Sequence, residues 1–123
     1  MVVAIHQPNF FPWLGFFDKI NKSDYFILLD DAQFPKSGGC WTNRVKIIIS
    51  GHENWITVPV NRNFSGVKKI NEITINENYD WRKKILKIII QNYSKHPYFH
   101  ETFQFLEPVI LNNDSSYLSS FNI

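Results

Sequence analysis

The chain has 123 residues, of which 44% are hydrophobic and 16% aromatic, so it has enough apolar surface for one folded domain and is not a disordered chain. Its net charge of +2 is too small to indicate nucleic-acid binding, because affinity for a phosphate backbone needs several clustered cations. The single cysteine, Cys40, excludes an internal disulfide and favours a reducing compartment. Since the sequence shows neither a signal peptide nor a membrane-spanning run, we expect a cytoplasmic protein with no membrane partner.

The first third of the chain predicts a strand-helix-strand unit. Residues 2–5 and 25–29 are short, uninterrupted apolar runs, typical of strands that are covered on both faces in a parallel sheet. Between them, Pro12 is well placed to open a short helix that continues to Ile20.

The middle of the chain predicts antiparallel strands. Residues 45–49 and 55–60 are strand-like runs separated by the polar connection 50–54, which indicates a hairpin. Residues 70–75 alternate apolar and polar side chains and predict a strand that extends the same sheet. Residues 61–69 have the composition of a mobile loop.

The last part of the chain has helical periodicity. A first helix starts near Asp80, and its solvated face is expected to carry Arg82 and three lysines. Pro97 ends it, a second helix follows, and a third starts near Asp114. The whole pattern predicts one α/β domain over residues 1–123, three-layer-like, with a short parallel strand-helix-strand unit, an antiparallel hairpin and strand, and C-terminal helices.

Polar residues follow both strands of the predicted parallel unit. His6 comes after the first strand, and Asp30 and Asp31 come after the second. Parallel strands end at the same edge of a sheet, where ligands bind in open α/β folds. The histidine and one aspartate could therefore act as a general base with its orienting acid, as two metal ligands or as sugar-hydroxyl contacts. The alternative is a locally hydrogen-bonded loop and a turn or helix cap. No third acidic residue is nearby, so we predict no metal site.

A polar loop over residues 34–44 is a second candidate site. Backbone amides at Gly38 and Gly39, together with Lys36 and the guanidinium of Arg44, could hold a phosphate or a carboxylate. The loop lacks the P-loop pattern, and the alternative is a flexible hairpin loop with an arginine at its rim.

Aromatic residues crowd the first loop and helix over residues 10–17. Sugar rings stack on such side chains, but a stripe at helical spacing is more typical of a core, which we expect for most of them. Cys40 has no surrounding signature of a nucleophile, and the four histidines lack zinc-ligand spacing.

Residues 3–20, VAIHQPNFFPWLGFFDKI, resemble the opening of WbqC-like proteins, and residues 30–34, DDAQF, resemble their second signature. Residues 55–60 and 81–84 are similar to later blocks of that family, so the resemblance covers nearly the whole chain. It implies a role in bacterial surface-polysaccharide (O-antigen) biosynthesis, with transfer of glycine or another aminoacyl group to a sugar.

The resemblance also marks candidate site residues. His6 is predicted to be the general base, oriented by Asp30 or Asp31. The predicted substrate-binding residues, which would contact a sugar or nucleotide-sugar substrate, are Gln7, Asn9, Trp13, Gln33, Asn43 and Arg44. The sequence names no cofactor.

WbqC-like proteins are usually longer than this chain. We therefore expect the chain to correspond to the amino-terminal half of the family, and a homodimer or a partner chain to cover its apolar end. The alternative to a transferase is a non-catalytic module that binds carbohydrate, nucleotide sugar or a protein partner.

Overall fold

The parallel strand-helix-strand unit predicted from the sequence is present. In the computed structural model, which describes all residues from Met1 to Ile123, β1 (Val3–His6) and β2 (Tyr25–Leu28) are joined by the helix α1 (Leu14–Asn21). The two strands pair in parallel, with Val3 opposite Tyr25 and His6 opposite Leu28. The α/β fold class is thus confirmed.

The apolar runs of β1 and β2 are covered on one face only, so the expectation of coverage on both faces is wrong. Phe16 of α1 packs its ring 5.0 Å from that of His6 and 5.3 Å from that of Phe26. Successive strand residues point to opposite faces, and the other face exposes Val3, Ile5, Tyr25 and Ile27 by 47 to 63%. Because Phe16 of α1 packs on one face of this pair and the other face is exposed, an uninterrupted apolar run here does not mean that both faces are buried.

The predicted hairpin is confirmed, with a shorter connection. β4 (Arg44–Ile49) pairs antiparallel with β5 (His52–Thr57) around Ser50 and Gly51. These two residues have φ values of 51° and 81°, which is the requirement of a type I′ turn. Residues 52–54, read as part of the connection, belong to β5.

Residues 61–75 differ from the sequence prediction. The predicted loop contains β6 (Lys68–Lys69), which pairs antiparallel with β3 (Gln33–Phe34). The predicted strand over 70–75 begins as a 3₁₀ turn, Ile70–Glu72, and only afterwards forms isolated bridges. Ile70 and Ile73 are both 1% exposed, and a 3₁₀ turn has three residues per turn, so it buries both where a strand would put them on opposite faces.

The C-terminal helices follow the predicted periodicity. They are α2 (Trp81–Tyr93), α3 (Phe99–Leu111) and the short α4 (Leu118–Phe121), which starts later than expected. None of the helices has the length and apolar character needed to cross a membrane. Their apolar stripes meet the hairpin and the 3₁₀ turn in one core. It comprises Phe10, Phe34, Ile56, Val58, Ile70, Ile73, Ile75, Trp81, Ile85, Leu86, Ile89, Ile110 and Leu118.

Arg82 is not on the solvated face, contrary to the sequence prediction. Its side chain is 10% exposed and donates to the carbonyls of Ile110 at 2.8 Å and Asn112 at 2.5 Å. It also forms an ion pair with Glu77 at 2.6 Å. The guanidinium therefore ties α2 to the end of α3.

Candidate functional site

Four of the predicted site residues surround one cavity, which we call the His6 cavity. It has a volume of about 520 Å³. Its lining comes from the end of β1 and the loop after it, and from the start of β4 and the loop before it: His6, Gln7, Asn9, Phe10, Phe11, Pro12, Trp13, Cys40, Trp41 and Val45. The end of a parallel strand thus opens on a cavity, as the strand-end rule leads one to expect.

The loop after β1 is fixed from both sides. Pro8 is fully buried, and the Phe10 amide donates to the Trp41 carbonyl at 2.8 Å. Phe11 has a φ of 46°, in the left-handed region that a bulky residue seldom adopts. Such a conformation costs roughly 1–3 kcal/mol and persists where the surroundings impose it, often at functional sites.

The hydrogen bond of His6 determines which ring nitrogen is free. Nδ1 lies 2.8 Å from the backbone carbonyl oxygen of Gln7. A carbonyl can only accept, so Nδ1 carries the proton in this bond. In the neutral ring, Nε2 then holds a lone pair and can accept a proton from a ligand. Phe16 packs edge-on against the same ring and restricts its rotation.

Two tryptophans flank the His6 cavity. Trp13 is 67% exposed and Trp41 57% exposed, although each ring is held in place. Trp41 packs against Trp55 with ring centroids 5.5 Å apart. The ring of Trp13 lies on Gly15, where an added Cβ would come within 2.0 Å of Cζ3. The missing side chain at Gly15 therefore leaves room for the Trp13 ring against α1.

The His6 cavity adjoins an apolar cleft of about 550 Å³ between the hairpin and the helices α2 and α3. The two spaces share Phe11, Trp13 and Val45. A ligand in the His6 cavity therefore has an apolar neighbourhood on one side and the imidazole and amides on the other.

The acidic residues after β2 are not brought to the His6 cavity. Asp30 is held by Asn71, whose backbone amide donates to the Asp30 carbonyl at 2.8 Å and whose side chain donates to Oδ1 at 3.4 Å. Asp31 is exposed, and Gln33 lies in β3. The bond to His6 Nδ1 is made by the Gln7 carbonyl and not by a carboxylate. The roles predicted for Asp30, Asp31 and Gln33 remain predictions.

Asn43 and Arg44 line a second cavity of about 390 Å³, which we call the arginine pocket. The Asn43 side chain is 2% exposed and bridges the loop: its oxygen accepts from the Cys40 amide at 3.1 Å, and its nitrogen donates to the Val58 carbonyl at 3.3 Å. Asn43 thus stabilises the part of the arginine pocket that this loop forms. The other lining residues are Gly38, Gly39, Thr57, Val58, Pro59, Val60, Arg62, Asn76 and Tyr79.

Arg62 is a residue of the pocket that the sequence did not single out. Its guanidinium donates to the carbonyls of Pro35 at 2.8 Å, Lys36 at 2.9 Å and Gly38. Only these contacts reveal it, because its local sequence is that of an ordinary polar loop. Nowhere in the chain do three or more His, Cys, Asp or Glu side chains group as metal ligands would.

Comparison with known proteins identifies the family. The model of the WbqC-like protein family matches residues 7–123. "Uncharacterized protein Rv1507c" of Mycobacterium tuberculosis (strain ATCC 25618 / H37Rv) is 39% identical over 120 residues, which cover 98% of this chain and 51% of that protein. The chain thus spans about half the length of this relative. No solved structure matches it. The chain belongs to the WbqC-like protein family.

Proposed function

We propose that this chain acts in the biosynthesis of bacterial surface polysaccharide (O-antigen), as part of a cytoplasmic transferase that moves an aminoacyl, glycyl or related group onto a sugar amine or a nucleotide-activated sugar. The resemblance to WbqC-like proteins supports the pathway, and the His6 cavity supports the chemistry. The single cysteine, Cys40, is free, which supports a reducing compartment.

The observation that carries the proposal is the hydrogen bond from His6 Nδ1 to the Gln7 carbonyl. It leaves Nε2 as a base on the wall of a cavity. In acyl transfer, the acceptor amine attacks the donor carbonyl carbon, the new C–N bond forms and the bond to the leaving group breaks. Nε2 would take the proton released by the amine and return it to the leaving group.

Recognition of the sugar is proposed for the residues around His6. Trp13 and Trp41 present exposed ring faces on which a sugar ring can stack. Gln7 and Asn9 line the same cavity, and their amides both donate and accept hydrogen bonds, as hydroxyl groups require. Asp30 or Asp31 would contribute to transfer only if it reached the substrate. The rate of transfer by Asp30→Asn tests the contribution of Asp30 separately from that of His6.

The test is a transfer assay read by mass spectrometry. The purified chain is incubated with a nucleotide-linked amino sugar and an activated glycyl donor, and the mass of a glycyl adduct is sought. We expect product with the wild type, at least about a hundredfold slower product formation with His6→Ala, and no change with His52→Ala, an exposed histidine outside the His6 cavity. Product formation that is equal in His6→Ala and wild type would contradict the proposal, as would none from a folded wild type.

The second candidate function is a carbohydrate-binding module without turnover. The exposed rings of Trp13 and Trp41 favour it, because they need only a sugar and no base. Binding of a nucleotide sugar that survives His6→Ala, with no turnover in either protein, would indicate this function.

A partner is proposed for the bare face of the β1–β2 pair, either a second copy of the chain or a separate chain. Val3, Ile5, Tyr25 and Ile27 place four apolar side chains side by side in solvent. Sedimentation of the purified chain as a dimer that Ile27→Lys dissociates would support a homodimer. A monomer at all concentrations would leave the separate chain as the proposal.

A further inference from the structure

We propose that the arginine pocket is a phosphate-binding site in which the guanidinium of Arg44 is the main ligand and Arg62 adds a second positive charge. The inference does not depend on the His6 cavity, whose lining residues are different. It rests on the hydrogen bonds that Arg44 lacks, on the contacts that fix its side chain and on the charge of the pocket.

The Arg44 side chain has no acceptor in the protein. Its Nε is buried and without a hydrogen-bond partner. None of the ion pairs of the molecule includes Arg44, so no carboxylate lies within 4.0 Å of it. A guanidinium carries five N–H donors in a planar fork that matches two oxygens of one anion. An oxyanion in the pocket would supply acceptors to the side of the guanidinium that lines it.

The guanidinium is also held in place before any ligand arrives. Its Cζ lies 4.1 Å from the centroid of the Trp55 ring. Beneath it is Gly39, where an added Cβ would come within 2.5 Å of Arg44 Cδ and 2.6 Å of Nε. A ligand therefore meets a fixed fork and not a mobile side chain, which lowers the entropy lost on binding.

Arg62 contributes charge and shape. Three of its five N–H donors are bonded to the carbonyls of the loop over residues 35–38, which fixes that loop beside Arg44. No carboxylate pairs with it. The lining of the pocket contains two arginines and no Asp or Glu. Two unneutralised guanidinium groups suit a phosphate, which carries up to two negative charges, better than a carboxylate, which carries one.

The alternative is that Arg44 only packs on Trp55 as a rim residue. Lys46 provides the matched control, because it lies on the same strand, stands 5.4 Å from the same ring and carries the same charge. Lys46 is paired with Glu53 at 3.0 Å and lies outside the arginine pocket. If positive charge alone attracted the phosphate, replacing Lys46 would weaken phosphate binding as much as replacing Arg44.

The experiment is a ¹H–¹⁵N NMR titration of the full chain with inorganic phosphate, and with acetate in a parallel titration at equal ionic strength. We expect saturable shifts at the amides of Gly38, Gly39 and Arg44 with phosphate. Arg44→Gln should weaken the affinity about tenfold or more, corresponding to the loss of a charge-assisted, bidentate contact. Lys46→Gln should leave it within about twofold.

Gly39→Ala is the second variant, because it keeps every charge and displaces the Arg44 side chain. It should also weaken phosphate binding, while the hairpin resonances report that the fold is intact. Absence of saturable shifts in the wild type, or equal phosphate affinity in Arg44→Gln and wild type, would overturn the proposal. Acetate binding as tightly as phosphate would overturn the assignment to phosphate.

Discussion

Arg82 and Arg44 lie in two different regions of the molecule, and their guanidinium groups make different contacts there. Arg82, at the start of α2, donates to two backbone carbonyls and to the Glu77 carboxylate, and only its Nε lacks a partner. Arg44, at the start of β4, is held by Gly39 and Trp55 but has no acceptor. An arginine whose donors are bonded within the protein stabilises the fold, whereas one that is fixed without acceptors is suited to a ligand.

The comparison extends to tryptophan. Trp81, beside Arg82, is 4% exposed, and its Nε1 donates to Glu77 at 3.2 Å. Trp13 is 67% exposed and is supported by a glycine. The polar groups around Glu77 are therefore hydrogen-bonded to one another. In the loops around the two cavities, polar groups and aromatic ring faces remain accessible to a ligand.

The largest expected effect is on stability and comes from Arg82→Gln. The change removes the donors of the Ile110 and Asn112 carbonyls and the cation beside Glu77, in a side chain that is 10% exposed. We expect a loss of about 3 kcal/mol in the free energy of unfolding. Urea denaturation followed by circular dichroism measures it, and a loss below about 1 kcal/mol would show that Arg82 does not have this role.

Gly15→Ala separates ligand binding from stability. The added methyl group displaces the mostly exposed Trp13 ring, while alanine favours the helix by about 1 kcal/mol over glycine. We expect unchanged or slightly higher stability together with weaker sugar binding in the His6 cavity. Thermal unfolding and calorimetric titration with a nucleotide sugar on the same samples measure both. Unchanged sugar binding would show that the position of the Trp13 ring does not matter.

The smallest expected effect on stability is that of Arg44→Gln. Loss of the contact with Trp55 is offset because the buried Nε–H without a partner is removed. We expect a change within about 0.5 kcal/mol in the free energy of unfolding. Urea denaturation alongside Arg82→Gln gives the matched comparison, and equal losses in the two variants would abolish the distinction drawn between the two arginines.

Local sequence patterns predicted most of the elements. The apolar runs predicted β1 and β2, and the helical period predicted α2 and α3, because these signals depend on neighbours along the chain. The patterns did not predict the 3₁₀ turn at Ile70 or the burial of Arg82. In both cases contacts with distant residues decide the outcome, namely the core around Ile70 and Ile73 and the carbonyls at the end of α3.

The candidate site shows the same limit. His6, Gln7, Asn9 and Trp13 meet around one cavity because they are close in the chain, at the end of β1 and in the loop that follows it. Asp30 or Asp31 was expected beside His6 by the strand-end rule, but neither lines the His6 cavity, and Asn71, distant in sequence, bonds Asp30. Arg62 reaches the arginine pocket through bonds to carbonyls some 25 residues away, which no local pattern indicates.

The central claim is that His6 presents Nε2 as a base to a ligand in its cavity. The most direct measurement is a long-range ¹H–¹⁵N correlation spectrum of the imidazole rings, recorded on the neutral form with and without a nucleotide-linked amino sugar, and assigned with His6→Ala. Our account predicts that Nδ1 of His6 carries the proton and that the Nε2 resonance shifts when the sugar is added. A proton on Nε2, or a His6 ring that no sugar perturbs, would contradict it.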